Sequence, residues 1–385
     1  MGVVTLSVEL SNRFVPLVGT PLSLYFKARL FVDPGARSGY TPFVVMLIDT
    51  SSSMVKEKKI RLAKEAVKRL ITLMPRGSRV SIIAFDSSVR EVAECRSLDE
   101  ECRERMLARV SRLIAFGNTV LYRALSKGLE KLRELGGSNV IRRLIIVTDG
   151  IPTDVKEVKP YGELARKAGE EGVEIIAIGV GREYNEEVLE AIAVNSRGVM
   201  EHIEDPADIP KVVELYASRY SAIAFRDSYA CVVPSAPVST LEVFSAEQFE
   251  RDGAKCVRLG ALSAGETRRI YGRLTLTPQS IGELKLLKVE LVADGEKVAE
   301  AVARVRVVER RAAAISEGAK REVASEALAV ASIVRNDLEV ARTVSVEDIG
   351  EEEVREALKT YIHAVEQEDR KVLTSLRTKT LKHLV

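Results

Sequence analysis

Three short segments hold the residue types that could do chemistry. Asp49-Thr50-Ser51-Ser52-Ser53 sets a carboxylate and two hydroxyls at alternating positions, directly after an apolar run. Gly117-Asn118-Thr119 places another hydroxyl before a run of helical character, and Thr148-Asp149-Gly150 supplies a second carboxylate behind another apolar run. Open α/β sheets bind ligands at the carboxyl ends of their strands, where the first and third segments must lie. Taken singly, each has a plain structural explanation: Ser and Asp begin helices, Thr119 could cap the helix after it, and Asp149 could open a turn. A cap needs one such residue, however, whereas four hydroxyls and an acid stand in a row after Ile48. Hydrolysis would want a base beside a nucleophile or a metal-bound water. The three histidines, His202, His363 and His383, all lie away from these segments. An aspartyl-nucleophile phosphatase wants a second Asp where Ser51 stands, and no glycine has the GK[ST] context of a phosphate loop.

Together, in order and spacing, the three segments resemble the metal-ion-dependent adhesion site of von Willebrand factor A domains: a DxSxS motif, a distant Thr and a TDG aspartate. The resemblance covers about residues 42–220. It implies that Ser51 and Ser53 ligate a divalent cation through their hydroxyls, that Thr119 joins when the site engages a ligand, and that Asp49 and Asp149 act directly or through water. Ser52 departs from the family, which has Gly there, but no side chain ligates from that position. The implied donors are hard oxygens, which suits Mg²⁺, with Mn²⁺ or Ca²⁺ as alternatives, and not zinc or copper. Only two carboxylates are present, and where they act through water and not as direct ligands the ion keeps positive charge and offers a socket for a partner's Glu or Asp. The implied function is therefore metal-dependent protein–protein interaction without catalysis. Related systems suggest another A-domain protein, an AAA-type ATPase or a phosphopeptide-binding module as partner. A metal-dependent, phosphatase-like hydrolase is one alternative. A nucleic-acid scaffold is another, supported only by the basic face Arg370, Lys371, Arg377, Lys379 and Lys382. At the rim, Asp86 reads as a turn residue, and Asp154 as either a turn residue or a group that tunes the metal.

The elements that must position these residues form the first of three compositional regimes. From residue 42 to 220 strands alternate with helices: strands at 43–48, 79–85, 89–93, 142–148, 173–179 and 198–202, and helices at 60–74, 99–113, 120–135, 161–171, 186–194 and 205–220. That alternation predicts an α/β fold, a Rossmann-like, mostly parallel sheet with helices on both faces. The Asp86-Ser87-Ser88 connection is too short for a crossover and predicts one antiparallel edge strand. The second regime, 221–309, is β-branched runs split by turns, with Asp294-Gly295 a strong hairpin signal. Residues 1–41 look alike, so the α/β domain is expected as an insertion in one antiparallel β-sandwich. The third, 310–385, is Ala-rich and charged with apolar residues at helical spacing. It predicts a small helical bundle, one of whose helices starts at Ser345.

The 58 basic and 56 acidic residues leave a net charge of +2, which gives no pull toward nucleic acid or anionic membrane. Met1 to Leu6 lacks the features of a signal peptide and no apolar run is long enough to span a bilayer, so a cytoplasmic location and no membrane partner are expected. Abundant Lys, Arg and Glu with very little Gln and no Trp resemble a thermophile's composition. The four cysteines lack metal-ligand spacing and read as reduced thiols, with a Cys231–Cys256 disulfide as the alternative.

Overall fold

Apolar strands alternating with amphipathic helices yield a six-stranded sheet in the order Val89–Cys95, Arg79–Phe85, Thr41–Asp49, Val140–Thr148, Glu174–Val180, Val199–Ile203. Every pairing is parallel except that of the edge hairpin, Arg79–Phe85 with Val89–Cys95. This computed structural model describes residues 3–36, 39–134, 137, 139–245, 248–309 and 320–380, without the side chains of 218–221. Lys382 and His383 lie outside the described residues. The chain divides into two units, residues 38–223 and residues 1–37 with 224–385.

In the α/β unit both faces of the sheet are covered, so its central strands are apolar throughout. Along Thr41–Asp49, Val44, Met46 and Ile48 enter one core with Ala63, Val67 and Leu70 of helix Lys59–Leu73. The alternate residues Phe43, Val45 and Leu47 enter the other, with Leu121, Leu125 and Leu129 of helix Leu121–Glu134. Burial on both sides leaves the strand ends as the places where polar groups emerge.

The other unit contains a four-stranded sheet (Val4–Leu10, Leu22–Val32, Thr267–Leu276, Val238–Val243) and a six-stranded one (Gln248–Arg251, Ala254–Arg258, Ser228–Pro234, Gly282–Ala293, Glu296–Val308, Phe14–Pro16). Period-two alternation assigns the faces. Leu24, Phe26, Ala28 and Leu30 line the sandwich core with Leu287, Val289 and Leu291. On the reverse face, Tyr271 of Thr267–Leu276 packs with Ala327, Val330 and Leu358 of helices Arg321–Arg335 and Glu352–Glu366.

Several expectations need correction. The sandwich is not wholly antiparallel, because Phe14–Pro16 pairs parallel with Glu296–Val308. The first β-branched run of the second regime is not one strand: it is broken into Ile223–Phe225 and Ser228–Pro234. The Asp294 carboxylate accepts the backbone N–H groups of Arg226 and Asp227 and interrupts the ladder there. Ser345 precedes only a short 3₁₀ turn, Val346–Asp348, without capping it. The helix proper begins at Glu352, after Glu326 has taken the Glu351 N–H at 2.9 Å. The cysteines are not thiols: Cys231 pairs with Cys256, directly opposite it on the neighbouring strand, and Cys95 pairs with Cys102.

Candidate metal centre

Strand register builds the site. Thr41–Asp49 and Val140–Thr148 run parallel with Ile48 beside Val147, so Asp49 ends one strand next to Thr148 and Asp149 follows at once. The Thr148 hydroxyl donates to Asp49 Oδ2 at 2.5 Å and the Ser51 N–H donates to Asp49 Oδ1 at 2.8 Å. That second bond folds the chain back, bringing Ser51 Oγ within 3.0 Å of Ser53 Oγ. Ser53 Oγ in turn donates to Asp149 Oδ1 at 2.6 Å.

Thr119 arrives from a separate loop, which backbone bonds tie to the first: Ser52 N–H to Gly117 O at 3.0 Å and Phe116 N–H to Thr50 O at 2.8 Å. Its position is read from Gly150, where a Cβ would lie 2.6 Å from Thr119 Oγ1 and 3.4 Å from Asp49 Oδ2. Only glycine fits at that point, because the threonine hydroxyl and the aspartate approach the backbone so closely. All five residues singled out in the sequence are thus brought together. Asp49, Ser51, Thr119 and Asp149 are buried and Ser53 is half-buried, while Ser52 points out to solvent, where a side chain in place of the family's Gly crowds nothing.

The two rim aspartates have other work. Asp154 accepts the backbone N–H of Tyr122 at 3.3 Å and of Arg123 at 2.9 Å, closing the amino end of helix Leu121–Glu134. The capping role considered for Thr119 therefore falls to Asp154. Asp86 is fully buried, accepts from the Thr50 hydroxyl at 3.0 Å and pairs with Arg90 at 2.5 Å. Burial pushes the Asp86 carboxyl up, but the bonds from Arg90, Ser88 and Thr50 outweigh it and hold the group below its ordinary value.

Asp49 has the opposite balance. Burial pushes its carboxyl up to about 6, against the pull of the Ser51 and Thr148 hydrogen bonds, with Asp149 adding repulsion. A buried carboxylate supported only by hydroxyls and one backbone N–H, with no cation beside it, is under-compensated. A divalent cation would supply what the hydroxyls do not. The spacing fits one: an octahedral ion with bonds of about 2.1 Å has neighbouring ligands about 3.0 Å apart, the separation of the two serine oxygens. Among the described residues no group of three or more His, Cys, Asp or Glu side chains could hold a metal. At this site a cation would draw on the hydroxyls of Ser51, Ser53 and Thr119 as well as on Asp49 and Asp149.

Two contributors were not singled out from sequence. Thr148 stood within the TDG segment as a mere neighbour. The other is Lys59, whose ammonium lies 2.9 Å from Asp149 Oδ2 and of which only 5% is exposed. The available signal was its spacing, since Lys59, Ala63, Val67 and Leu70 share one helical stripe.

Comparison with known proteins agrees with this architecture. Residues 44–215 match the family model of the von Willebrand factor type A domain. A von Willebrand factor type A protein from Catenulispora acidiphila has the same fold, with TM-score 0.67 at 18% identity over 99% of this chain and 97% of that one. The ArnB paralog VWA2 from Sulfolobus acidocaldarius gives 0.56 at 21% identity, over 99% and 98%. An uncharacterized protein of Synechocystis, sll0103, is 24% identical over 65% of this chain. The chain spans 60% of the length of that curated relative.

Proposed function

Because residues 44–215 form a von Willebrand factor type A domain, we propose that this protein binds an acidic residue of a partner protein through a divalent cation held by Ser51, Ser53, Thr119, Asp49 and Asp149. One observation carries the reading. Oxygens from three separate segments meet at the carboxyl ends of two adjacent parallel strands, with Ser51 Oγ, Ser53 Oγ and Asp149 Oδ1 linked at 3.0 and 2.6 Å. When bound, the cation supplies positive charge that a carboxylate from outside can complete. The protein's own residues do the rest. Asp49 and Thr148 anchor the first loop, the Gly117 and Phe116 backbone bonds lock the second against it, and Gly150 admits Thr119.

The surroundings favour a protein as partner. Val55, in the 3₁₀ helix Ser52–Lys58, and Ile114, Phe116 and Ile151, on loops, are all exposed large hydrophobics on segments that carry or flank a site residue. Arg90 lies over the Phe116 ring, 5.1 Å from its centre. Several exposed large hydrophobics on the segments that carry the site are the kind of surface that marks a protein-interaction site. Binding rather than turnover is also the better reading of His202, the one histidine in residues 38–223. His202 sits on the edge strand, two strands or about 10 Å from Val140–Thr148, with its Nδ1 2.8 Å from the Tyr184 hydroxyl. Magnesium as the ion, and the cytoplasm as the location, are parts of this proposal. No helix among the described residues is long and apolar enough to cross a membrane.

The test pairs a cation titration with a pull-down. Wild-type protein should bind Mg²⁺ or Mn²⁺ and Asp49→Ala should not, while remaining folded by circular dichroism. A partner captured in Mg²⁺ should be lost in EDTA and with Ile151→Asp. Capture that survives EDTA and Asp49→Ala alike would sink the metal-bridged mechanism.

A further inference from the structure

Lys59 is placed at odds with local preference. It is the first residue of helix Lys59–Leu73, where the helix dipole disfavours a cation. It is buried, which strips water from an ammonium group. The two residues before it, Glu57 (φ 54°) and Lys58 (φ 60°), are both left-handed without being glycine, a conformation that persists only where the surrounding structure enforces it. This kinked segment delivers the Lys59 ammonium to Asp149 Oδ2 at 2.9 Å. Glu57 lies 3.8 Å from the ammonium and is mostly exposed, and the Gly181 turn (φ 72°) lies alongside. Asp149 thus has one oxygen on Ser53 and the other on Lys59.

We propose that Lys59 is an internal counter-ion that competes with the divalent cation for Asp149 and so holds the resting affinity of the site down. The inference rests on the metal reading above. With Lys59 in place, the two aspartates present a net charge of one rather than two to an incoming cation. The cation is then held loosely until a partner carboxylate adds the missing negative charge. Cation and partner each strengthen the other's binding, as linkage requires. The site becomes one that closes on an acidic partner and lets its ion go when the partner leaves.

The experiment is a Mn²⁺ titration of the full chain, followed by the electron paramagnetic resonance signal of free Mn²⁺, for wild type, Lys59→Met and Lys59→Arg. Lys59→Met should bind at least about tenfold more tightly, since a unit charge close to the ion is removed, and Lys59→Arg should stay near wild type. Melting without metal should be lower for Lys59→Met, which leaves Asp149 unpaired, and Mn²⁺ should raise it more than it raises wild type. Binding in the Met variant alone would support the competition in its strongest form. Equal or weaker binding in the Met variant, beside a wild type that does bind, overturns the role of Lys59 and leaves the metal site standing. No binding in either overturns both. Should Lys59→Met fail to fold, Lys59→Gln carries the same comparison.

Discussion

Asp154 and Thr119 divide two tasks that their sequence contexts left open. The Asp154 carboxylate takes the first N–H groups of helix Leu121–Glu134, so the Thr119 hydroxyl is left to face Asp49. Asp154→Ala should therefore behave as a lost cap, lowering stability by about 1 kcal/mol in urea unfolding with Mn²⁺ affinity unchanged. A large loss of affinity with little loss of stability would make Asp154 part of the metal site instead. Asp86 belongs to the framework too: it grips Thr50 between the first two site residues and is itself gripped by Arg90.

At the level of elements, the C-terminal helices are docked by a buried charge cluster as well as by apolar contact. Strand Leu22–Val32 turns Phe26 and Ala28 into the sandwich and Lys27 to the opposite face. There the Lys27 ammonium meets Glu326 at 2.9 Å, and Glu326 also receives the Tyr271 hydroxyl at 3.3 Å. Burial alone would lower the Lys27 pKa, but Glu326, Glu351 and Glu322 raise it above the ordinary value, so the charge is retained. Removing one member of such a pair leaves the other uncompensated. Glu326→Ala should destabilise this unit by about 3 kcal/mol, and Lys27→Met with Glu326→Leu should recover much of that. A double-mutant cycle on the unit's own unfolding transition measures it. Additive losses would show that the pair is not coupled.

For the whole molecule, the disulfides and the charge balance bear on where it works. Cys231 and Cys256 are 25 residues apart, a loop whose closure contributes about 3 kcal/mol in the chain-entropy picture. A thiol assay under denaturing, non-reducing conditions should find no free cysteine, and reduction should lower the melting temperature. Four free thiols would contradict both pairs. Cytosolic disulfides are rare outside hyperthermophiles. The proposed cytoplasmic location and the thermophile-like composition therefore support each other only if these bonds form in the cell.

Much of the fold was legible because its signals are local. Apolar runs after which Asp49 and Asp149 follow, helical stripes such as Ala63, Val67 and Leu70, and the short Asp86–Ser88 connection determined the α/β unit, its parallel order and its antiparallel edge. The DxSxS, Thr and TDG segments marked the candidate donors by type and order. What only the tertiary structure decided are the pairings between distant side chains. Lys59 seeks Asp149, Asp294 takes two N–H groups between two strands, Glu326 and not Ser345 takes an N–H at a helix start, and Cys95 finds Cys102. Each depends on where a charged or reactive group ends after the chain has folded. A side chain's hydrogen-bonding capacity is set by its type, but which partner satisfies it is set by burial, and burial is a property of the whole fold.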